Sequence, residues 1–284
     1  MARADRAVTL RPVAAGDLDA CHRLSMQVSW PHRREDWEFV LDLGQGFVAV
    51  VAEEVVGTAL WWPFGAGHAS LGSIIVAPDR QGAGIGRLLM SGLLDATEGR
   101  SLALVATQQG QPLYARYGFA PGGTVLQHQD TGPDVAAPIL ARGESLRPAI
   151  AGDLPLLASL DSAATGLPRQ AVLAALLARA EAVVLERGGV AAGFGFLRRH
   201  GRGWLLGPVA AADAQAARTV IAHWLSAKRG EFVRIDVHAH TGLGAWLTGI
   251  GLPQVASGLV MLRGVVQAAP GPTRQFALAS QALG

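Results

Sequence analysis

One stretch of this chain occurs twice. "LRPVAAGDL" at 10–18 returns as "LRPAIAGDL" at 146–154, with seven of nine positions identical at an offset of 136. "IIVAPDRQ" (74–81) then lines up with "PVAAADAQ" (208–215) at an offset of 134, and "YGF" (117–119) with "IGL" (250–252) at 133. Three matches in one order, with a slowly shrinking offset, describe two copies of one domain whose loops differ slightly. The period is that of a domain, far above the roughly 20–50 residues of a solenoid repeat. The boundary is expected in "TGPDVAAPILARGES" (131–145), which carries Pro, Gly and charge without periodicity. The expected domains are 1–135 and 146–264, followed by a tail, 265–284, that packs across the surface.

Half of the 284 residues are apolar, enough for two cores. The hydrophobic pattern of the first copy gives a strand (8–13), a helix starting near Asp17, and a loop entering a second helix (30–45). Two strands joined by an acidic turn follow (46–63), then a strand (71–76), a helix (84–97), a strand (101–107), a short helix (111–118) and a last strand (123–129). Hairpins followed by a strand–helix–strand unit imply an α/β class, a mixed and mostly antiparallel sheet flanked by helices. On the third helix Ile85, Leu88, Leu89, Gly92 and Leu93 are expected to share the buried face.

Several functions are excluded by composition. The net charge is +2 and the basic residues are scattered, unlike the basic stripe of a nucleic-acid binder. Lys228 is the only lysine, as the codon usage of a GC-rich bacterial genome would give. Cys21 is alone, which rules out a disulfide framework or a cysteine-rich zinc site within one chain. "MARADRAVTLRP" lacks an apolar signal core and no apolar run reaches spanning length, so a cytoplasmic protein without a membrane partner is expected.

The stretch with most chemistry is "IIVAPDRQGAGIGRLLM" (74–90), in which an apolar strand gives way to Gly82, Gly84 and Gly86 and then to a helix. The first N–H groups of a helix have no intrahelical partner, and the helix dipole is positive there. Glycine lets the backbone approach an anion and tolerates positive φ. The result is a phosphate cradle, with Arg80 and Arg87 adding positive charge. A P-loop lysine is missing, the spacing is G-x-G-x-G rather than G-x-G-x-x-G, and the next strand ends at Thr107 rather than at an acidic residue. Nucleotide readings fail on these counts.

Gln81-x-x-Gly84-x-Gly86 after an apolar strand resembles the pyrophosphate-binding motif of the GNAT N-acetyltransferases. "PLYARYGF" (112–119) adds a second resemblance, a tyrosine four residues before Gly-Phe: Tyr114 before Gly118 and Phe119. The resemblance covers about residues 8–130. It implies acetyl-CoA as co-substrate, its pantetheine arm against backbone near Ile75 and Val76 and its pyrophosphate on Gln81, Gly82, Ala83, Gly84, Ile85, Gly86 and Arg87. Thr107 stands where the family often has Asn. The resemblance makes Tyr114 the general acid for the leaving thiolate, with Tyr117 as a core aromatic. It implies that a backbone N–H near Val76 stabilises the oxyanion.

The base is not identified by the resemblance, because many relatives carry Glu or Asp near position 73 and this chain has Ser73, which could order a water. His22, His32, His68, Glu35 and Asp36 are candidates, and His32 leads because "SWPHRREDW" lies in the segment that walls the acceptor pocket in this family. Trp30, Trp37 and Trp62 are candidates for an aromatic pocket that stacks on a cationic amine, core packing being the alternative. Carried through at an offset of 134, Gly82, Gly84 and Gly86 become Ala216, Arg218 and Val220, and Tyr114 becomes Leu247. The second copy is therefore expected to be degenerate, serving a structural or pocket-completing role. "RIDVHAH" (234–240) would put Asp236, His238 and His240 on one strand face; His-x-His on a strand is a possible metal pair, but no third ligand is evident nearby beyond Asp236, and no metal is expected. "GFGFLRRHGRGW" (193–204) reads as a hairpin with a solvated basic turn. The function expected is N-acetylation of a small amine by a monomer or weak dimer; the competing class is a non-catalytic acyl-CoA-binding or sensor protein.

Overall fold

The computed structural model describes residues 7–265 and 271–284. The chain divides into two compact units, 1–102 and 103–284. The first unit contains β1 (Thr9–Pro12), α1 (Leu18–Gln27), α2 (Arg34–Leu43), β2 (Gln45–Val51), β3 (Glu54–Phe64), β4 (His68–Val76) and α3 (Ile85–Ala96). Its strands run β1-β2-β3-β4, each antiparallel to the next. The acidic turn of the β2–β3 hairpin is Ala52-Glu53, both at positive φ (51° and 70°). Ile85, Leu89, Met90 and Leu93 are the buried side chains of α3. Leu88, expected on that face, is exposed: at about 100° per residue the buried stripe is centred between Leu89 and Leu93, which takes in Met90 and leaves Leu88 outside.

The second unit takes in most of β5 (Ser101–Ala106), then α4 (Gln111–Arg116), β6 (Ala120–Thr131), β7 (Glu144–Pro148), α5 (Leu154–Thr165), α6 (Gln170–Leu177), β8 (Glu181–Arg187), β9 (Val190–His200), β10 (Gly203–Ala211), α7 (Ala214–Ala227), β11 (Phe232–His238), α8 (Leu243–Gly249), β12 (Gln254–Arg263) and β13 (Arg274–Ala277). The sheet order is β5-β12-β6-β11-β13-β10-β9-β8-β7. Its core lies between β8–β11 and the helices α7 and α8, with Val220, Ile221, Trp224, Leu243 and Leu247 buried against Leu206, Val209 and Ile235.

The order of strands and α-helices from β1 to β6 repeats from β7 to β12, as the duplicated sequence requires. The two copies exchange their last strands. β6 pairs with β11, and β12 lies between β5 and β6. For this reason the compact units do not part in the linker, whose residues 132–141 have no regular secondary structure. The tail is also placed differently from the sequence expectation. Instead of packing across the surface, residues 274–277 enter the sheet as β13, and Phe276, Ala277, Leu278 and Leu283 are buried.

The duplicated nine-residue motif has a mechanical role. Arg11 donates twice to the Asp17 carboxylate (2.7 and 2.6 Å), which also accepts the Ala14 N–H at 2.9 Å. Arg147 and Asp153 repeat this at 2.8 and 2.9 Å, with the Ile150 N–H at 2.8 Å. Each set ties the end of a first strand to the start of the first helix. The arginine hydrogen bonds hold both carboxyls below the usual range. This stabilisation is complete above the unfolded carboxylate pKa of about 4 and is lost as pH falls through the lower folded values. The urea midpoint should therefore fall between pH 7 and pH 3, and Asp17→Asn should flatten that fall; an unchanged pH dependence would remove this lock from the acid sensitivity.

Candidate active site

The glycine junction lies wholly in the first unit. Thr58 faces Ile75 and Leu60 faces Gly72, so Ser73 and Ile74 together oppose Ala59 in a β-bulge. Ser73 takes φ +49°, and its carbonyl accepts the Thr58 hydroxyl at 2.7 Å. The bulge bends β4 just before Ile75 and Val76. Ala77 N–H then closes the ladder on Val56 O at 2.8 Å, and the Gln81 amide reaches back to Val76 O at 3.3 Å. Gln81 thus braces the turn that delivers the glycines.

Gly82 and Gly84 sit at φ +81° and +84°, a region that glycine enters without steric cost, and Gly84 is the N-cap of α3. A Cβ on Gly82 would meet nothing within 4 Å. Gly86 is already helical, so its value is close approach rather than positive φ. Among the described residues the backbone N–H groups of Gly82, Ala83, Gly84, Ile85 and Gly86 have no hydrogen-bond acceptor. The Arg87 guanidinium curls over Gly84, 3.3 Å from where its Cβ would lie. Ile85 is buried and anchors the first turn. Unpaired N–H groups, a helix N-terminus and an adjacent arginine make a site whose chemistry suits an anion.

Tyr114 lies in the second unit. Thr107 holds the turn before α4: its carbonyl and hydroxyl both accept from Gly110 N–H (3.0 and 3.3 Å). The Tyr114 ring packs over Gly110, where a Cβ would come within 2.7 Å of it, and edge-on to Phe119 at 6.2 Å. It is 8% exposed, and burial alone pushes its phenol up to about 12. Tyr117, expected in the core, is the less buried of the two tyrosines.

Two of the three tryptophans proposed for an acceptor pocket belong to the core. Trp37 and Trp62 are each 1% exposed, and their indole N–H groups are satisfied internally by Ser25 Oγ (2.9 Å) and Val40 O (2.8 Å). Trp30 is half-buried beside His32, ring centroids 5.8 Å apart. The His32 carbonyl contacts His22 Nε2 at 2.9 Å, which fixes the segment between α1 and α2. Asp36 is buried and engaged by the Arg33 N–H and guanidinium (2.9 and 2.8 Å), so it caps α2 instead of serving as a base.

The second copy has lost its cradle by a route different from the one the sequence offset suggested. Gly99 and Gly230 both take φ +77° in the turn after the helix, 131 residues apart. In that register the buried Ile85, Leu89, Met90 and Leu93 fall on the buried Ala216, Val220, Ile221 and Trp224. Arg218 is thus the counterpart of Arg87, not of Gly84, and Ala216 and Val220 are core positions rather than replacements for Gly82 and Gly86. At the strand end, Ala77 and Ala212 each donate to the neighbouring strand at 2.8 Å, 135 residues apart. The offset drops from 135 to 131 across the junction, so four residues are missing from the second copy there. Asp213 now caps α7, accepting Ala216 N–H at 2.8 Å and pairing with Arg187, whose hydrogen bond lowers its pKa. A carboxylate of the chain already holds that helix N-terminus. Leu247 does match Tyr114, each accepting the N–H five residues on (Leu252, 2.9 Å; Phe119, 3.2 Å).

The remaining second-copy candidates have structural partners. Asp236 is buried and clamped by Arg234 at 2.8 Å. β11 ends at His238 and His240 lies in the following turn, so the two do not share a strand face; their rings are 5.3 Å apart. Burial first, then His240, lowers the His238 pKa. Among the described residues no three His, Cys, Asp or Glu side chains are grouped to hold a metal. The basic turn after β9 is not simply solvated, since Arg199 and Lys228 stack on Trp204 (4.1 and 3.8 Å) and Arg202 on Phe232 (4.3 Å). Among the described residues no helix is long and apolar enough to cross a membrane.

Residues 42–121 and 157–277 each match a family described as an acetyltransferase (GNAT) domain. An uncharacterized N-acetyltransferase of Bacillus subtilis, YitH, is 26% identical over 228 residues, 78% of this chain and 79% of that one. A solved acetyltransferase candidate from Pyrococcus horikoshii shares the fold over 98% of this chain and 96% of its own, with TM-score 0.81 and 20% identity. A tandem GNAT protein from the clavulanic acid biosynthesis pathway does so over 92% and 100%, with TM-score 0.68 and 15% identity. By class this is an acetyltransferase. The chain belongs to the GNAT family and carries two GNAT domains in tandem. GNAT acetyltransferases in general use acetyl-CoA.

Proposed function

We propose that the protein transfers an acetyl group from acetyl-CoA to a primary amine of a small acceptor, with the first copy active and the second silent. The observation that carries this is the cradle at 82–86, five unpaired N–H groups behind left-handed glycines in one copy and cut short by four residues in the other. Acetyl-CoA supplies the activated thioester. The backbone of residues 82–86 and Arg87 bind its pyrophosphate, and the bulged strand at Ile75 and Val76 presents backbone to the pantetheine arm. A backbone N–H near Val76 donates to the developing oxyanion. The Tyr114 phenol donates to the leaving thiolate, and Thr107 fixes the turn that carries it. Ser73 orders a water that relays the amine proton, with His32 as the titratable group and Trp30 as the ring facing the acceptor. The protein works in the cytoplasm as a monomer or weak dimer, without nucleic-acid or membrane partners.

Titration calorimetry with acetyl-CoA should find one site per chain, and amines added to that complex should release free thiol. Two sites would overturn the silent second copy, and no binding by folded protein would overturn the acetyltransfer reading. Binding without thiol release across amino acids, polyamines and aminoglycoside-type amines would favour an acyl-CoA sensor, the reading that Ser73 in place of a carboxylate supports.

A further inference from the structure

β10 and β11 pair in parallel only over Trp204–Leu206 and Val233–Ile235, and then part. β13 fills the opening. Its Ala277, Gln275 and Arg274 pair with Val209, Ala210 and Ala211 on one side, and Ala277 pairs with Val237 on the other. Leu278 N–H extends the contact to Asp236 O at 2.9 Å. The β10 ladder is irregular between Leu206 and Val209, and Gly207 sits there at φ +148°. A Cβ on Gly207 would overlap the Leu278 carbonyl, so only glycine admits the tail at this point. The bulge at Ser73 occupies the matching step of β4 in the first copy.

The cleft is also built to hold what enters it. Arg169 and Asp161 are each 1% exposed at the side chain and form a bidentate pair (2.9 and 2.6 Å). The remaining Arg169 Nη1 donates to Leu283 O at 3.1 Å. The Gln281 amide is 3.3 Å from Asp236 and 3.4 Å from Gln127. Without the tail, backbone groups of β10 and β11 and one donor of a buried guanidinium would lose their partners.

We propose that the cleft between β10 and β11 is a binding site for an extended amide chain, filled in cis by residues 274–284, which act as an internal ligand closing the second copy. The proposal rests on the acetyl-CoA reading only in taking β10 as the counterpart of β4, whose Ile75 and Val76 face the pantetheine arm in that reading. A pantetheine arm is itself an extended diamide, so the tail takes the place such an arm would use.

The test uses the full chain with a protease recognition sequence replacing residues 266–270. After cleavage the tail should stay bound through gel filtration. A fluorescent synthetic peptide of residues 271–284 should exchange into the cleaved protein with one-to-one stoichiometry, and the same peptide carrying Ala277→Pro should compete at least about tenfold less well, having lost a ladder N–H. Release of the tail without a change in Tm, failure of the peptide to exchange, or equal competition by the proline peptide would each overturn the proposal. Acetyl-CoA binding by the uncleaved protein is scored separately, so a failed donor reading leaves the peptide result intact.

Discussion

Replacing Tyr114 by Phe should lower acetyl-transfer turnover by about tenfold or more while leaving acetyl-CoA affinity nearly unchanged. The ring is buried over Gly110 and against Phe119, so phenylalanine keeps the packing and loses only the hydroxyl. Burial pushes the phenol up to about 12, which keeps it protonated throughout the working pH range. It is therefore a hydrogen-bond donor at every pH where a thiolate has to leave. The same shift gives a control. The folded state holds this proton more tightly than the unfolded state, whose tyrosine titrates near 10, so stability is full below about pH 10 and falls as pH rises towards 12. Tyr114→Phe should remove that part of the alkaline loss of stability. Turnover equal to the parent enzyme, with the alkaline loss diminished as expected, would leave Tyr114 a core aromatic and nothing more.

Gly82→Asn should raise the dissociation constant for acetyl-CoA roughly ten- to a hundredfold, the equivalent of losing one charge-assisted hydrogen bond. Asparagine tolerates the left-handed region better than other side chains, so the φ of +81° is kept at small cost. The new side chain enters open space in the protein, where no atom lies within 4 Å of its Cβ. It therefore disturbs little else in the protein, and its expected effect is to crowd an anion seated on the backbone of residues 82–86. The measurement is calorimetric affinity beside a thermal melt. Unchanged affinity in a protein with parental Tm would mean that the pyrophosphate binds elsewhere.

Features governed by neighbouring residues could be read from the sequence. The order of elements followed from periodicity and turn residues, and the doubled "LRP…AGDL" motif announced a doubled fold. The glycine junction was recognisable because positive φ and a helix start are local properties. The strand exchange and the entry of β13 were not recognisable, since backbone hydrogen bonds make those pairings and leave no pattern in side chains. Trp37 and Trp62 look alike whether they line a pocket or a core, and only the distant Ser25 and Val40 decide it. The pairing of Gly84 with Arg218 went astray because an ungapped offset cannot register a deletion. Gly99 and Gly230, each just ahead of a strand, held the signal that would have set the helices in register.

The exchanged last strands also bear on how the chain comes off the ribosome. β6 is complete at Thr131, yet its two sheet neighbours are β11 and β12, which begin at Phe232 and Gln254. For about a hundred residues of synthesis one of the longest strands of the protein has both edges open. Pairings so far apart in sequence close large loops before they return any stabilisation, which makes them late steps in folding. Duplication therefore did more here than add a second domain. It made the pairing of the first copy's last strand wait for nearly the whole chain.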